Sequence, residues 1–435
     1  MRILILDTDG VGLAFAMRCG DAGHETKLWI PKGKNDWIGQ GLVDRPEDWR
    51  PHIERSDLIV LTDNCKLRKE LRPYFAAGYP IFGANDLGAE LELDRQCGQH
   101  CMEQYGIPTL PCEEFTDLDK AISFVEKTGK AYACKPWGGE SDKALSFVAD
   151  SPEDLIFTLR RWKREGKKGN FVLQEKAEGI EMGVGGWFGP GGWSQWIEEN
   201  WEEKKLMNDG YGQNTGEMGT TLRYTRDSKL FRETLEPLTP YLEEIGYVGN
   251  VDSNCIIDDQ GQAWPLELTM RLGWPAFNIC MALHQGDPAN WMLGLLEGRD
   301  TLQVQEGVAV GVVLAHGDFP WSDQSKEEVS GYPLRGITQF NLPHLAMQSV
   351  MWGEAPVKLG SKIRQENTFV TAGDYILVAT GTGWSVSGAR SAAYDVAKSV
   401  ELPSNKMMRT DIGARLEKQL PLLQMHGYAT GMTYD

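Results

Sequence analysis

Gly249 Asn250 Val251 Asp252 Ser253 Asn254 Cys255 Ile256 Ile257 Asp258 Asp259 Gln260 Gly261 Gln262 Ala263 Trp264 Pro265 Leu266 Glu267 Leu268 Thr269 Met270 Arg271 Leu272 Gly273 is the stretch on which the reading of this chain turns. Its two halves, Val251 to Ile257 and Gln262 to Leu268, read as adjacent strands of a hairpin around the turn Asp258 Asp259 Gln260 Gly261. That turn would bring Asp252 and Glu267 close together. Two partly buried carboxylates a few ångströms apart repel unless something positive sits between them, and a divalent cation is the usual solution. Arg271, four residues after Glu267, adds a planar cation suited to phosphate oxygens. For a hairpin taken alone, acids facing water are the simpler explanation, so the rest of the chain has to decide.

Composition narrows the field. At 435 residues the chain is too long for one core and predicts roughly two to four structural units. Hydrophobic content of 41% and charged content of 24% are those of a soluble globular protein. A formal charge of −18 argues against a nucleic-acid groove, which needs clustered Lys and Arg. The eight cysteines show neither CxxC pairing nor zinc spacing, which suits a reducing cytoplasm, and Cys97 and Cys101 read as buried thiols on one helix face. Met1 leads straight into a strand, and no apolar run approaches the length of a membrane span. Neither a signal peptide nor a membrane location is expected.

Working outward, the first eighty or so residues alternate strand and helix. Ile3 to Leu6, a turn at Asp9 Gly10 Val11 Gly12, a helix to about Ala22, then His24 to Ile30, Leu58 to Leu61 and Tyr79 to Phe82 predict a small doubly wound unit. Gly10 and Gly12 lack the third glycine of a dinucleotide fingerprint, so a substrate or packing domain is the better reading than NAD binding. A polar helix is expected from about Asn85 to Tyr105. Further elements are a helix near Leu118 to Thr128, the strand Ala131 to Lys135, a helix near Pro152 to Glu165 and the strand Phe171 to Glu175. Trp187, Trp193, Trp196 and Trp201 surround the hairpin tip Phe188 to Gly192 and read as core before ligand wall. A mostly β segment from about Val308 to Val400 suggests a separate C-terminal lobe.

Other runs carry chemistry. Lys135 ends an apolar strand and leads into Pro136 Trp137 Gly138 Gly139 Glu140 Ser141 Asp142 Lys143, a strand-end lysine followed by a glycine loop with a second lysine, suited to closing over phosphates. The strand Phe171 to Glu175 runs into a connector, Lys176 Ala177 Glu178 Gly179, able to offer backbone groups to an adenine edge, with Glu181 placed to accept ribose hydroxyls. Glu202 Glu203 Lys204 Lys205 then precedes the glycine-dense run Asp209 to Gly219. Taken singly, each of these is also an ordinary surface loop or tight turn.

In this order the runs resemble the ATP-grasp superfamily, and within it the glycinamide ribonucleotide synthetases (phosphoribosylamine–glycine ligases). Asn214 Thr215 Gly216 Glu217 Met218 Gly219 matches that family's NTGGMG, Glu267 to Pro275 its ExNxRxGDP, and Lys204 the lysine of its DHKR. Gly106 Ile107 Pro108 Thr109, Ala315 to Pro320 and Arg409 to Gly413 also look like family segments, so the resemblance spans nearly the whole chain. It implies an α/β and α+β multidomain ATP-grasp fold: an N-terminal doubly wound pre-ATP-grasp domain over 1–84, an ATP-grasp domain over 85–305 with a lid lobe at about 110–185, and a β-rich C-terminal lobe over 306–435. It further implies a ligase that joins a small carboxylate to an amine through an acyl phosphate, using ATP and Mg2+, with Mn2+ as a substitute. Arg271, Lys204 and Asn214 are the expected catalytic residues. Lys135, Lys143, Gln174, Glu175, Ala177 and Glu181 are expected to hold the nucleotide, and Asp252, Glu267 and Thr269 the metal. No oligomeric state follows from the sequence.

The departures from the family pattern cluster where substrates are expected. Thr269 stands where the family has Asn, Trp274 replaces the Asp of GDP, Ala276 replaces the following Glu, and Glu217 replaces the second glycine of NTGGMG. Asp9 to Ala14 lacks the polar and charged side chains of the family's GGREHA loop. ATP-dependent ligation with altered substrates is the expectation. Glu217 and Trp274 suit a more cationic or aromatic amine, or a bulkier acid. An inactive ATP-binding scaffold is the alternative.

Overall fold

In the computed structural model, which describes all residues except 34, 65, 138–146, 360, 361 and 404, the chain folds around one large antiparallel sheet. Its eight strands lie in the order Ala263–Thr269, Gly249–Ile257, Ile180–Gly189, Gly192–Glu202, Gly219–Thr225, Val308–Ala315, Tyr375–Gly383 and Leu345–Met347. The C-terminal segment thus adds three strands to the sheet that carries the hairpin, where a separate β lobe was expected. The reason lies in the strand Val308–Ala315, VAVGVVLA, which is buried along its whole length and so needs a strand on each side. The same segment also contains the helix Val386–Ser399, whose Ser385 side chain caps Gly388 N.

The N-terminal unit is a parallel sheet in the order Glu25–Trp29, Arg2–Leu6, Leu58–Leu61, Ile81–Phe82, as the apolar runs predicted. Sequence order reverses between Arg2–Leu6 and Leu58–Leu61, and the carboxyl ends of such strands are where doubly wound sheets present ligand-binding loops. The lobe of residues 112–175 is a four-stranded sheet, Cys112–Phe115, Asn170–Glu175, Tyr132–Trp137, Phe147–Val148, with two helices on one face. It has a core of its own, built on Leu155, Leu159, Trp162, Phe171 and Leu173. A third small sheet pairs the long hairpin Val350–Leu359 and Lys362–Ala372 with Ser330–Pro333.

The helix expected over Asn85 to Tyr105 is two helices, Asp86–Leu93 and Arg95–Gln104. Asp94 adopts an extended conformation between them, and its carboxylate caps Gln96 N and Cys97 N of the second helix. A side chain that competes for backbone donors ends one helix and starts the next. Trp187, Trp196 and Trp201 are core and Cys101 is buried, as expected, whereas Trp193 and Cys97, also expected to be buried, are only partly so. No helix among the described residues is long and apolar enough to cross a membrane.

Candidate active site

The hairpin forms with the expected turn: Asp258 N donates to Gln262 O at 3.0 Å, and the Asp258 carboxylate accepts from Gln260 N and Gln262 N. The pairing of its strands is not uniform. From the turn, Ile257 faces Ala263 and Cys255 faces Pro265, but Asn254 then faces Glu267 and Asp252 faces Thr269, so Leu266 is an extra residue. Side chains alternate faces along a strand, and an extra residue changes the face of everything beyond it. Without this bulge Glu267 would sit opposite Ser253, on the face away from Asp252. With it, Asn250, Asp252, Asn254, Glu267 and Thr269 share one face. Asp252 and Glu267 are diagonal neighbours, and the direct partner of Glu267 is Asn254, a residue the sequence motif did not single out. Its signal was the period-two alternation Asn250, Asp252, Asn254.

The next strands continue this face. Gly185 lies opposite both Asp252 and Glu198, and Gly183 opposite both Asn254 and Asn200. A Cβ at Gly183 would stand 2.1 Å from Asn200 Oδ1 and 2.7 Å from Asn254 Oδ1, and one at Gly185 2.9 Å from Asp252 Oδ2. The two glycines therefore open a trough that polar side chains from both neighbouring strands fill. Over it lies a cavity of about 720 Å³ lined by Glu198, Glu202, Lys204, Glu217, Asn254, Glu267 and Arg271 among others, with Trp187, Trp274 and Phe277 as aromatic walls.

A second cavity, of about 520 Å³, adjoins it. Leu91, Met102, Val172, Leu266 and Leu268 make its exposed surface mainly apolar, Glu92, Arg95, Gln96, Gln99, Lys135 and Gln174 are its polar members, and Glu267 lines both cavities. Burial pulls the Lys135 ammonium down to about 8 against the opposing pull of Glu267. Burial alone would raise the Glu267 carboxyl, but Arg95, Lys135, Lys204 and Arg271 hold it below the ordinary value. Arg95 Nη2 meets Glu267 at 2.7 Å. Lys204 bridges Glu202 at 2.9 Å and Glu181 at 3.0 Å, and those acids keep it charged despite burial. Arg271 is aimed by Glu92 at 3.3 Å, which also accepts from Met270 N and from Asn64 of the N-terminal unit.

Of the expected nucleotide residues, Lys135 and Gln174 line the apolar cavity. Glu175 is paired with Lys130 at 2.8 Å, its N–H donating to Pro111 O, and Ala177 lies on the connector beyond the strand. Lys143 and the glycine loop fall outside the described residues. Asn214 is exposed and bridges to Lys205, while Gly216 and Glu217 of the same run reach the polar cavity. Among the described residues no three His, Cys, Asp or Glu side chains converge as a ready-made metal cage. What the face offers a divalent ion is the Glu267 carboxylate, the Thr269 hydroxyl and Asn254 Oδ1, which is buried and has no hydrogen-bond partner. A hard cation bound through one or two protein oxygens and completed by phosphates fits that set.

No family model matches the chain. It is 25% identical over 444 aligned positions to the phosphoribosylamine–glycine ligase of Salmonella typhimurium, with 95% of the chain and 98% of the relative covered. It is 26% identical over the same length to that of Allochromatium vinosum. Among solved structures, the phosphoribosylamine–glycine ligase of Thermotoga maritima superposes with a TM-score of 0.71 at 23% identity, covering 95% of this chain and all of the other. N5-carboxyaminoimidazole ribonucleotide synthetase of the same organism gives 0.58 at 16% identity, covering 93% of this chain and all of the other. Biotin carboxylase of Campylobacter jejuni gives 0.59 at 11%, covering 98% and 97%. The chain is thus similar from end to end to phosphoribosylamine–glycine ligases and shares their fold with N5-carboxyaminoimidazole ribonucleotide synthetase and biotin carboxylase.

Proposed function

We propose that the protein is a cytoplasmic ADP-forming ligase that joins a small carboxylic acid to an amine through an acyl phosphate, with substrates other than glycine and phosphoribosylamine. The observation that carries this reading is the sharing of Glu267 between an apolar cavity of purine-accepting character and a polar cavity that holds Arg271 and Lys204. The nucleotide base is assigned to the apolar cavity, with Gln174, Glu175 and Ala177 along its connector edge and Glu181 toward the ribose. Lys135 and Lys143 take phosphate oxygens. Glu267, Asn254 and Thr269 would hold Mg2+, which would supply positive charge to offset that of the ATP phosphates. Asp252 leaves the metal set in this assignment, because its carboxylate accepts from Asn200 and faces Glu198.

The acid's carboxylate oxygen attacks the γ phosphorus, ADP departs, and Arg271, pinned by Glu92, stabilises the charge gathering on the acyl phosphate. The amine nitrogen then attacks the acyl carbon. The C–N bond forms, the C–O bond to phosphate breaks, phosphate leaves with the electron pair, and the proton given up by the amine ends on the departing phosphate. Lys204, held charged between Glu181 and Glu202, orients the phosphate, and Asn214 acts through the loop that carries Glu217. No side-chain nucleophile is needed, and alignment supplies the rate.

The altered-substrate reading rests on Glu217, Trp274 and Ala276, all of which line the polar cavity. An ADP-release assay with glycine plus phosphoribosylamine against a panel of acids and amines tests it, with hydroxylamine present to trap the acyl phosphate as a hydroxamate. ADP and hydroxamate are expected with other acids. Robust turnover of the first pair alone overturns the altered-substrate reading. ATP binding without ADP from any acid establishes the inactive-scaffold alternative, which Thr269 favours and the unpartnered Asn254 oxygen beside Glu267 opposes.

A further inference from the structure

Five carboxyl groups line the polar cavity, and two of them are neutralised, Glu202 by Lys204 and Glu267 by Arg95. Glu198, Glu217 and Asp252 form no ion pair among the described residues, although they are only 4%, 2% and 9% exposed. Glu198 accepts from Cys280 Sγ at 3.2 Å and Asn200 Nδ2 at 3.1 Å, and the same Asn200 nitrogen reaches Asp252 at 3.1 Å. Glu217 Oε1 has no hydrogen-bond partner, nor has Asn200 Oδ1. Buried carboxylates without counter-charge are costly, and a group of them around an open volume is a site for a cation. Because no three carboxylates converge at metal-ligand geometry, an ammonium suits the space better than a metal ion: it has three donors and tolerates wider spacing. Trp274, Trp187 and Phe277 on the same walls favour it further.

The N-terminal unit supplies an independent constraint. Its loop after Leu58–Leu61 reaches Arg271 of the polar cavity through Asn64 and Glu92, and Thr62 at the start of that loop holds Asp7 of the loop after Arg2–Leu6. There the backbone N–H groups of Gly10 and Gly12, which a phosphate would use, donate to Asp7 at 2.9 and 2.7 Å, and Thr62 Oγ1 donates to it at 2.9 Å. Asp7 is fully buried. The anion cradle is filled by the chain's own carboxylate, which would repel a phosphate.

Resting on the ligase reading, we propose that the amine joined by this protein is a phosphate-free diamine-type molecule: one ammonium sits among Glu198, Glu217 and Asp252, and a second, uncharged amino group attacks the acyl phosphate at Arg271. The test uses the full chain with ATP, Mg2+ and the acid panel, and compares 1,4-diaminobutane with n-butylamine, which differ in the second charge. kcat/KM is expected to favour the diamine by on the order of 100-fold, and Glu217→Gln to abolish most of that preference while leaving KM for ATP unchanged. Glu198→Gln serves as a second variant with the same expectation. Equal use of the two amines, preference for phosphoribosylamine, or Mn2+ binding that Glu217→Gln removes would each overturn the proposal. Calorimetric binding of the diamine that Glu217→Gln removes, without ADP from any pair, would sustain the cation site and overturn the ligase reading instead.

Discussion

Glu217→Gln should make the unliganded protein more stable while damaging its substrate site. The wild-type carboxyl is buried, one of its oxygens has no partner, and Glu202, Asp252 and Glu198 act on it against Lys204. Burial first, and those acids second, push its pKa well above the ordinary 4.5. The folded state therefore holds this proton to higher pH than the unfolded chain does, so native stability falls as pH rises from about 4.5 through the raised value. Glutamine keeps the shape and carries no charge, and its amide offers a donor to the acidic cavity. Relief of one unsatisfied buried acceptor is worth about 1–3 kcal/mol, more when it is charged. With an unfolding entropy of roughly 2.1 cal/mol/K per residue, a chain of 435 residues converts that gain to a Tm rise of about 1–3 °C. Differential scanning calorimetry of both proteins from pH 5 to pH 8.5 measures it, and the gap should widen with pH. A variant less stable than wild type at pH 8, or a gap independent of pH, would refute the reasoning.

Three further perturbations have defined outcomes. Because Lys135 is pulled down to about 8, kcat/KM for ATP should fall as pH rises through that value, approaching tenfold per pH unit, and Lys135→Arg should flatten the profile; an unchanged slope in the variant counts against Lys135 as a phosphate ligand. Asn254→Ala should raise the Mg2+ concentration needed for half-maximal activity by roughly tenfold or more, read from a Mg2+ titration at saturating ATP, and no change there removes Asn254 from the metal set. Asp7→Ala orphans the N–H groups of Gly10 and Gly12 and should lower Tm by the equivalent of about 1–3 kcal/mol, with partial recovery in inorganic phosphate, which then occupies the cradle; absence of recovery would show that the loop collapses without its carboxylate.

Much of the architecture was legible because it is written in local patterns. The buried runs Ile3 to Leu6 and Leu58 to Leu61 need helices on both faces, and Ser151 before Pro152 and Asp117 before Leu118 start helices where their side chains cap backbone N–H groups. Lys135 at a strand end and Arg271 beyond Glu267 were recognisable from position and type. The break at Asp94 was missed because capping competes with a helical pattern that continues on both sides of it. The joining of Val308–Ala315 to the main sheet was missed because an apolar strand does not name its neighbours.

Most of the elements, the order of the phosphate, glycine and acidic runs, and the places where substrate-facing positions depart from the family pattern are readable in the sequence. The tertiary structure alone decided which side chains meet. The bulge at Leu266 turns Glu267 to the face of Asp252 and sets Asn254 opposite it, strand pairing through Gly185 brings Glu198 and Asp252 together, and Glu217 joins them in one cavity from the run before Gly219–Thr225. The physical reason is that strand periodicity fixes only which residues share a face within one strand. Register and bulges between strands depend on hydrogen bonds and packing from the whole sheet, and a shift of one residue reverses the face.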